Sequence, residues 1–294
     1  MIVLDGPAGN GIGANVAKRL DAAYALVNHK VFPDGESYIR IPSLEEDDTV
    51  AVVQSTYAPH EKHLIELLFM IDALKEMGTK HIVAVVPYLA YVRQNRMFTA
   101  NEAVSINTVM RLLSESGAEA LVTVEPHRYD VVSLFEGKFE IVDPSAAFAE
   151  ELGKRVKTPF VVATDGGDMV RAKKMAELLD CEYDFIEKER DLATNKVRAV
   201  SSLTADLKGK EVVIFDDVIS TGGTIELAAK MAVSNGAKKV IAAAAHLVMA
   251  NNAYERITGA GVSEIYGTNT IPFPRAHLID VSAQIADAMK KIVK

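Results

Sequence analysis

Short apolar runs alternate with longer amphipathic segments along most of the 294-residue chain. The runs are rich in Val, Ile and Ala, which is typical of strands buried in a parallel sheet. The longer segments repeat apolar residues at helical spacing, most clearly at Leu64, Leu67 and Ile71. The clearest apolar runs are 2–4, 50–53, 82–86, 120–124, 160–163 and 212–215. Their alternation with helical segments predicts an α/β fold of mainly parallel sheets flanked by helices.

The same supersecondary unit recurs along the chain. Helices that are expected to end at Gly78, Gly117 and Gly236 are each followed by an apolar strand. This recurrence predicts two similar α/β halves that arose by duplication. The predicted domains are 1–143 and 144–280, followed by a C-terminal helix at 281–294 that packs on the first domain.

One stretch combines a strand, two carboxylates and a glycine-rich turn. Asp216 and Asp217 are expected to close the strand 212–215, and Ser-Thr-Gly-Gly-Thr at 220–224 leads into an apolar-periodic helix. A helix N-terminus binds anions through its free N–H groups and its dipole, and carboxylates accept hydrogen bonds from sugar hydroxyls. The stretch therefore predicts a site for a phosphorylated sugar, although a solvated, capped strand–turn–helix corner would use the same residue types.

A second glycine-rich turn, at 6–13, fits a loose dinucleotide-binding pattern through Gly9, Gly11 and Ala14. That pattern also requires an acidic residue at the end of the next strand, and no clear candidate stands at the expected distance. A plain strand-to-helix turn is therefore the expected structure.

Composition and charge narrow the class of protein. The net charge of −8 argues against binding to a nucleic-acid backbone. Cys181 is the only cysteine, which excludes an intrachain disulfide and a cysteine-rich metal site. The chain begins on a strand-like run rather than a signal sequence, and its longest apolar run, 240–250, is too short to span a bilayer. We expect a cytoplasmic enzyme with no nucleic-acid or membrane partner.

Several segments together resemble the ribose-phosphate pyrophosphokinase family. They are Phe-Pro-Asp-Gly-Glu at 32–36, the segment with two tyrosines and two arginines at 87–96, Lys-Glu-Arg at 188–190, the motif at 216–224, and Thr-Asn-Thr-Ile-Pro at 268–272. The 216–224 motif alone is shared with type I phosphoribosyltransferases. A nucleobase phosphoribosyltransferase would leave the first half without a task, and a non-catalytic regulatory homologue would be expected to lack Lys188 and Arg190.

The resemblance implies two domains of the type I phosphoribosyltransferase kind. It implies transfer of the diphosphate of ATP to the C1 hydroxyl of ribose 5-phosphate, with Mg²⁺ as cofactor, in a homo-oligomer that shares its adenine-facing loop between subunits. Asn95 and Ser220 stand where carboxylates are usual in the family.

The resemblance also assigns roles to individual residues. Those implied for ATP are Phe32, Asp34, Gly35, Glu36, Arg93, Gln94 and Arg96. Those implied for ribose 5-phosphate are Arg190, Asp216, Asp217, Ser220, Thr221, Gly222, Gly223 and Thr224. Lys188 and Arg190 are the implied catalytic pair, and His127 and Asp165 are the implied metal ligands.

Overall fold

The computed structural model describes residues 1–44, 48–164, 169–186 and 205–293, together with the backbone of 189–190 and 197–198. The chain divides into two compact units. The first unit comprises Met1–Asp143, Asn269–Ile271 and Asp280–Lys294. The second unit comprises Pro144–Thr268 and Pro272–Ile279. The C-terminal segment thus belongs to the first unit, and the two units are described separately below.

The first unit is built on a parallel sheet. Its strands are β1 (Ile2–Asp5), β2 (Ala23–Leu26), β3 (Asn28–Val31), β4 (Ser37–Arg40), β5 (Thr49–Val53), β6 (His81–Val86), β7 (Ala120–Val124) and β8 (Lys138–Val142). Six of them pair in the order β2-β1-β5-β6-β7-β8, and every pair is parallel. β3 and β4 form a separate antiparallel hairpin.

The helices of this unit cover both faces of the sheet. They include α1 (Ile12–Leu20), α2 (His60–Glu76) and α3 (Ser105–Ser116), and a fourth helix comes from the end of the chain. Side chains of α2 and α3 form one core with the sheet, and those of α1 belong to the core on the other face. Because both faces are covered, the inner strands β1, β5, β6 and β7 are mostly apolar and buried, instead of alternating apolar with polar residues.

The start of α3 lies beyond Asn101, although asparagine is a residue type that often caps helices. The helix begins at Ser105. The Glu102 carboxylate accepts hydrogen bonds from the N–H groups of Phe98 (2.7 Å) and Thr99 (3.0 Å). These bonds stabilise a turn before the helix, which is why the helix begins later.

The second unit repeats the topology of the first. Its strands are β9 (Pro159–Ala163), β10 (Glu182–Phe185), β11 (Glu189–Arg190), β12 (Val197–Arg198), β13 (Glu211–Ile219), β14 (Lys239–Leu247), β15 (Glu264–Thr268) and β16 (His277–Ile279). The six-stranded sheet has the order β10-β9-β13-β14-β15-β16, again all parallel. Position by position this is the order of the first sheet, as expected for duplicated halves. Among the residues that the structure describes, β11 and β12 pair only with each other.

The helices of the second unit are α4 (Ser145–Gly153), α5 (Met169–Leu179), α6 (Gly223–Ser234) and α7 (Ala253–Gly259). Residues of α6 and α7 pack on one face of its sheet, and residues of α4 and α5 pack on the other. The two mainly parallel sheets with helices on both faces confirm the predicted fold class. Among the helices of the described residues, none combines the length and the hydropathy needed to cross a membrane.

The last helix, α8 (Ser282–Ile292), belongs to the first unit. Its apolar stripe, which includes Ile285, Met289 and Ile292, is buried in the same core as Ile12 and Val16 of α1. The Lys138 ammonium on β8 also donates a hydrogen bond to the carbonyl of Ile292 (2.7 Å). The end of the chain thereby completes the second face of the first sheet.

Candidate active site

The acidic pair of the second unit lies inside β13. The apolar run predicted an earlier end of this strand, but pairing with β14 continues as far as Ile219 and Leu247. Asp216 and Asp217 are both buried. The Asp216 carboxylate accepts hydrogen bonds from the N–H of Asp217 (2.8 Å) and from the hydroxyl of Thr164 (3.1 Å). These bonds fix the Asp216 carboxylate towards the carboxyl end of the sheet.

The order of strands makes this a favourable place for a ligand. Thr164 follows β9, and β9 is the neighbour of β13. The chain passes from β9 to β10 on one side and then returns to β13 on the other side. In open α/β sheets, ligands bind at the carboxyl ends of strands where the order reverses in this way.

The glycine-rich turn follows β13 and leads into α6. Gly222 precedes the helix with a φ of 75°, and no side chain caps the helix. A Cβ at Gly222 would lie 2.8 Å from a side chain of α7, so glycine is required for both reasons. Thr221 and Gly223 are exposed, and Ser220 and Thr224 are half-buried. The first N–H groups of a helix have no acceptor within it, and an anion such as phosphate satisfies them.

The segment 87–96 of the first unit places three polar side chains on one turn. Arg93 and Arg96 are exposed and Gln94 is half-buried. The Gln94 N–H donates to the carbonyl of Tyr91 (2.9 Å), and its side-chain amide donates to the carbonyl of Arg96 (3.5 Å). The Tyr91 hydroxyl donates to the carboxylate of Glu61 on α2 (2.8 Å). Burial, together with this bond, raises the pKa of Tyr91 to about 12, so the phenol stays protonated and anchors the turn.

His127 lies on the loop after β7 and is exposed. β7 pairs with β6, which leads into the segment 87–96. The N–H of Val124 donates to the carbonyl of Pro87 (3.2 Å), and buried Glu125 accepts a hydrogen bond from the hydroxyl of Tyr129 (2.7 Å). His127 and the segment 87–96 therefore lie at the same edge of the first sheet, on loops that follow adjacent strands.

The turn between β3 and β4 contains four of the residues implied for ATP, and all four are exposed: Phe32, Asp34, Gly35 and Glu36. By the family resemblance this turn is the adenine-facing loop. The N–H of Phe32 donates to the carbonyl of Glu36 (2.8 Å), and the N–H of Gly35 donates to that of Phe32 (2.9 Å). Gly35 has a φ of 96°, and the Asp34 carboxylate accepts from the N–H of Glu36 (3.2 Å). The ring of Phe32 packs edge-on against Tyr38, with 5.8 Å between centroids. The tip is thus ordered by its own contacts.

The glycines at 6–13 surround a buried carboxylate. Asp5, at the end of β1, is buried, and a Cβ on Gly9 or Gly13 would overlap its side chain. The hydroxyl of Tyr24 donates to Asp5 (3.3 Å), and burial raises the pKa of Asp5 to about 6. The Asp5 carboxyl fills the space that these glycines leave open, which gives the turn a packing role.

The structure does not describe the side chains of three predicted site residues. Lys188 and Asp165 are outside the described residues, and Arg190 is described only by its backbone, in β11. Within the described ranges, no three His, Cys, Asp or Glu side chains are grouped as a metal site. The roles of Lys188, Arg190 and Asp165 therefore remain predictions from the sequence.

Glu66 is buried on α2, a position that was not predicted from the sequence. Its carboxylate contacts both strands of the β3–β4 hairpin, through His29 and Ser37. A glutamate one position before Leu67 looks like an ordinary solvent-facing residue of an amphipathic helix. Only the folded contacts with a distant segment distinguish it.

The sequence and the fold of this chain are similar to those of known proteins. The model of the N-terminal domain of ribose phosphate pyrophosphokinase matches residues 1–117, and the phosphoribosyl transferase domain model matches residues 140–268. The ribose-phosphate pyrophosphokinase of Sulfolobus acidocaldarius is 46% identical over 288 residues, which cover 97% of this chain and 99% of that protein. The chain belongs to the ribose-phosphate pyrophosphokinase family.

More distant relatives agree over the full length. The ribose-phosphate pyrophosphokinase of Methanobrevibacter smithii is 35% identical, with 98% of this chain and all of that protein covered. The crystal structure of phosphoribosylpyrophosphate synthetase from Mycobacterium smegmatis has a TM-score of 0.83 and 30% identity, and the match covers 99% of this chain and 98% of that one.

Family membership decides between the rival interpretations of the sequence. The pyrophosphokinase N-terminal model accounts for the first unit, which a nucleobase phosphoribosyltransferase would have left unexplained. The protein is a ribose-phosphate pyrophosphokinase-type transferase of diphosphate groups.

Proposed function

We propose that the protein transfers the β,γ-diphosphate of ATP to the C1 hydroxyl of ribose 5-phosphate, giving phosphoribosyl pyrophosphate and AMP for nucleotide biosynthesis. The observation that carries the proposal is the joining, in one chain, of the phosphoribosyl-type site of β13 and α6 to a first unit of the pyrophosphokinase kind. Kinase and transferase chemistry follow from the family, and the residue roles below are our assignments.

The second unit holds the acceptor. Asp216 and Asp217 accept hydrogen bonds from the ribose hydroxyls, since ionised carboxylates are acceptors only. The 5-phosphate is bound by the hydroxyls and N–H groups of 220–224 and by the dipole of α6, with Arg190 as a further cation. The buried, hydrogen-bonded position of the aspartates supports this role.

The first unit binds ATP. Arg93 and Arg96 contact the polyphosphate, Gln94 adds hydrogen bonds, and the turn at 32–36 faces the adenine ring. Exposed arginines on a turn that is tied to α2 support the phosphate contact. The exposed Phe32 ring at an ordered hairpin tip offers a flat apolar surface for a base.

Mg²⁺ is the proposed cofactor, and His127 and Asp165 would hold it. In phosphoryl-transfer sites Mg²⁺ is typically bound through one or two carboxylates and the substrate phosphates, so a cluster of three protein ligands is not required. His127 is exposed beside the segment 87–96. Because Mg²⁺ prefers oxygen ligands, the assignment of this imidazole rests on the family resemblance and not on coordination chemistry. Bound Mg²⁺ neutralises phosphate charge as a Lewis acid.

The chain's own groups position the reactants and balance charge. The oxygen of the C1 hydroxyl attacks the β-phosphorus, and the bond from this phosphorus to the oxygen that bridges it to AMP breaks. The proton of the C1 hydroxyl passes to solvent. Lys188 and Arg190 neutralise the charge that develops on the β-phosphoryl and AMP oxygens. The two binding sites hold the attacking oxygen, the β-phosphorus and the leaving oxygen in line. This alignment supplies much of the remaining acceleration of the reaction rate.

We also propose a cytoplasmic homo-oligomer that is at least a dimer. The edge strand β2 leaves Tyr24 and Leu26 exposed, at 46% and 60%. Exposed apolar side chains on an edge strand favour association with another chain. We propose that a second copy of this protein binds at the edge strand β2.

The experiment that tests the activity measures AMP formation from ATP and Mg²⁺ with and without ribose 5-phosphate. We expect AMP only when the sugar phosphate is present. Lys188→Ala should abolish turnover while ribose 5-phosphate still binds. Wild-type turnover in that variant would contradict the assigned role of Lys188, and absence of sugar-dependent AMP from the wild type would contradict the activity.

A further inference from the structure

A buried glutamate joins the predicted adenine-facing hairpin to the body of the first unit. Glu66 of α2 is fully buried, with 0% of its surface exposed. Its Oε1 accepts a hydrogen bond from the Ser37 hydroxyl on β4 (2.6 Å) and lies 2.9 Å from Nε2 of His29 on β3. Lys62, one turn earlier on α2, places its ammonium 3.8 Å from the same oxygen. One carboxylate oxygen therefore contacts both strands of the hairpin and its own helix.

The other carboxylate oxygen faces the end of the sheet. Glu66 Oε2 accepts from the side-chain amide of Gln54, which follows β5 (3.4 Å). The carbonyl of that amide accepts from the N–H of Ala8 in the glycine-rich turn (2.7 Å). Gln54 is itself fully buried. The contacts thus run from the hairpin through Glu66 to two loops at the carboxyl edge of the first sheet.

The hairpin needs such an attachment because it is not part of the main sheet. Within the described part of the chain, β3 and β4 pair only with each other. Ile39 and Ile41 pack against the core of the unit, but apolar contacts are non-directional. Hydrogen bonds to a fixed carboxylate are directional. They specify where the hairpin lies on α2, and therefore where its tip is held.

Ser37 stands directly after the tip. It pairs with Val31, and the turn 32–36 lies between these two residues. A shift of Ser37 away from Glu66 would move both ends of the turn. The exposed side chains of Phe32, Asp34 and Glu36 would move with it.

We propose that Glu66 is a positioning residue that sets the adenine-facing turn for ATP through Ser37 and His29. This inference rests on the proposed function, because it assumes that the turn at 32–36 binds ATP. In this proposal Glu66 contacts neither ATP nor ribose 5-phosphate. Its loss should therefore weaken the use of ATP and leave ribose 5-phosphate, which is bound by the second unit, largely unaffected.

The test compares KM for ATP, KM for ribose 5-phosphate and kcat in a small set of variants. Glu66→Ala should raise KM for ATP about tenfold or more, since a lost charge-assisted bond and an unpaired buried partner correspond to such a factor. KM for ribose 5-phosphate should change less than about twofold on the same reasoning. Ser37→Ala should show the same selectivity at smaller size, and Glu66→Gln should recover part of the loss because its amide can still bond Ser37 and Gln54.

A double variant tests the connection directly. If Glu66 acts through Ser37, adding Ser37→Ala to Glu66→Ala should change KM for ATP little further. Ile71→Val is the control for stability, since it removes a buried methyl group from the same helix without touching the hairpin contacts. It should lower the melting temperature and leave both KM values near those of the wild type.

Several outcomes would overturn the inference. These are an equal rise of both KM values in Glu66→Ala, a KM for ATP no different from that of Ile71→Val, or fully additive effects in the double variant. If Glu66→Ala does not fold, Ser37→Ala and Glu66→Gln decide by the same criterion. If the wild type forms no AMP from ATP and ribose 5-phosphate, the proposed function fails and the inference falls with it; unchanged KM values in an active enzyme defeat the inference alone.

Discussion

Asp217 is buried beside the hydrogen-bonded Asp216 on β13. In the proposed function it accepts a hydrogen bond from a ribose hydroxyl. Asp217→Asn should raise KM for ribose 5-phosphate about 10- to 100-fold, the range for a lost hydrogen bond to a charged group. KM for ATP should stay within about twofold, because ATP is assigned to the other unit. Steady-state kinetics with each substrate varied in turn provides the measurement.

Asp180→Asn is the matched control for that variant. Asp180 is an exposed aspartate of the same unit with a φ of 50°, a left-handed conformation that Asn tolerates well. It should leave both KM values unchanged. Equal effects of the two substitutions would remove the basis for assigning ribose binding to Asp217.

Asp5 makes the stability of the first unit depend on pH. Burial raises its pKa from 3.8 to about 6, so the folded state favours the protonated carboxyl. Its contribution to the free energy of unfolding is fully present below about pH 4 and is lost as pH rises through about 6. The loss is at most on the order of 3 kcal/mol. Asp5→Asn should remove this dependence of the free energy of unfolding on pH. Urea unfolding, repeated at intervals of about one pH unit between about pH 4 and pH 8, measures it.

Asp21→Asn serves as the comparison for Asp5→Asn. Asp21 is exposed and ends α1 in a left-handed conformation that suits Asn. Its pH profile should run parallel to that of the wild type. If the profile of unfolding free energy against pH were also parallel to that of the wild type for Asp5→Asn, the Asp5 carboxyl would not titrate in this range.

Single residues were predictable where their neighbours in the sequence specify them. Asp216, Asp217 and the turn 220–224 stand next to one another in the chain, so the local pattern already indicates an anion site. Glu66 and Thr164 act through partners that lie 29 and 52 residues away in the sequence. No local pattern encodes such contacts, which is why the sequence analysis did not identify them.

The turn before α6 depends on one glycine. Gly222 has a φ of 75°, and a Cβ there would lie 2.8 Å from Ile257 Cγ2 and 3.3 Å from Ala253 Cβ on α7. Gly222→Ala should lower the free energy of unfolding by about 2 to 4 kcal/mol, through backbone strain and overlap together. It should also raise KM for ribose 5-phosphate, because the turn must shift. Denaturant unfolding and steady-state kinetics measure the two effects.

Gly209→Ala separates strain from overlap. Gly209 has nearly the same φ, 77°, and a Cβ there meets nothing within 4 Å. This substitution should cost only about 1 kcal/mol of backbone strain and leave KM unchanged. If the two variants behaved alike, overlap with α7 could not be the reason for the glycine at 222.

At the level of elements, the pattern of apolar residues located most strands and helices but not all of their ends. β13 continues past its two aspartates because β14 is equally long and keeps pairing with it. α3 begins at Ser105 because Glu102 stabilises a preceding turn. Both ends are decided by partners outside the local sequence, whereas the apolar runs that specify the sheet are local.

The proposed oligomer gives a prediction for the whole molecule. The wild type should have a mass in solution of at least twice the chain mass of 31.9 kDa. Leu26→Asp places a charge on the edge strand β2 and should shift the mass toward that of one chain. Val170→Asp is the control, because Val170 is 75% exposed but lies on α5 of the second unit. Light scattering after gel filtration provides the masses, and a wild-type mass of one chain would contradict the proposal.

The most direct test of the central claim follows the two outer phosphates of ATP. The protein is incubated with ATP labelled at the γ-phosphate, Mg²⁺ and ribose 5-phosphate, and the phosphorylated products are separated. Transfer of an intact diphosphate predicts label in a C1-diphosphorylated ribose 5-phosphate and one AMP for each such product. Label in inorganic phosphate together with ADP would contradict diphosphate transfer. It would also be contradicted if the protein consumed added phosphoribosyl pyrophosphate but formed none from ATP and ribose 5-phosphate.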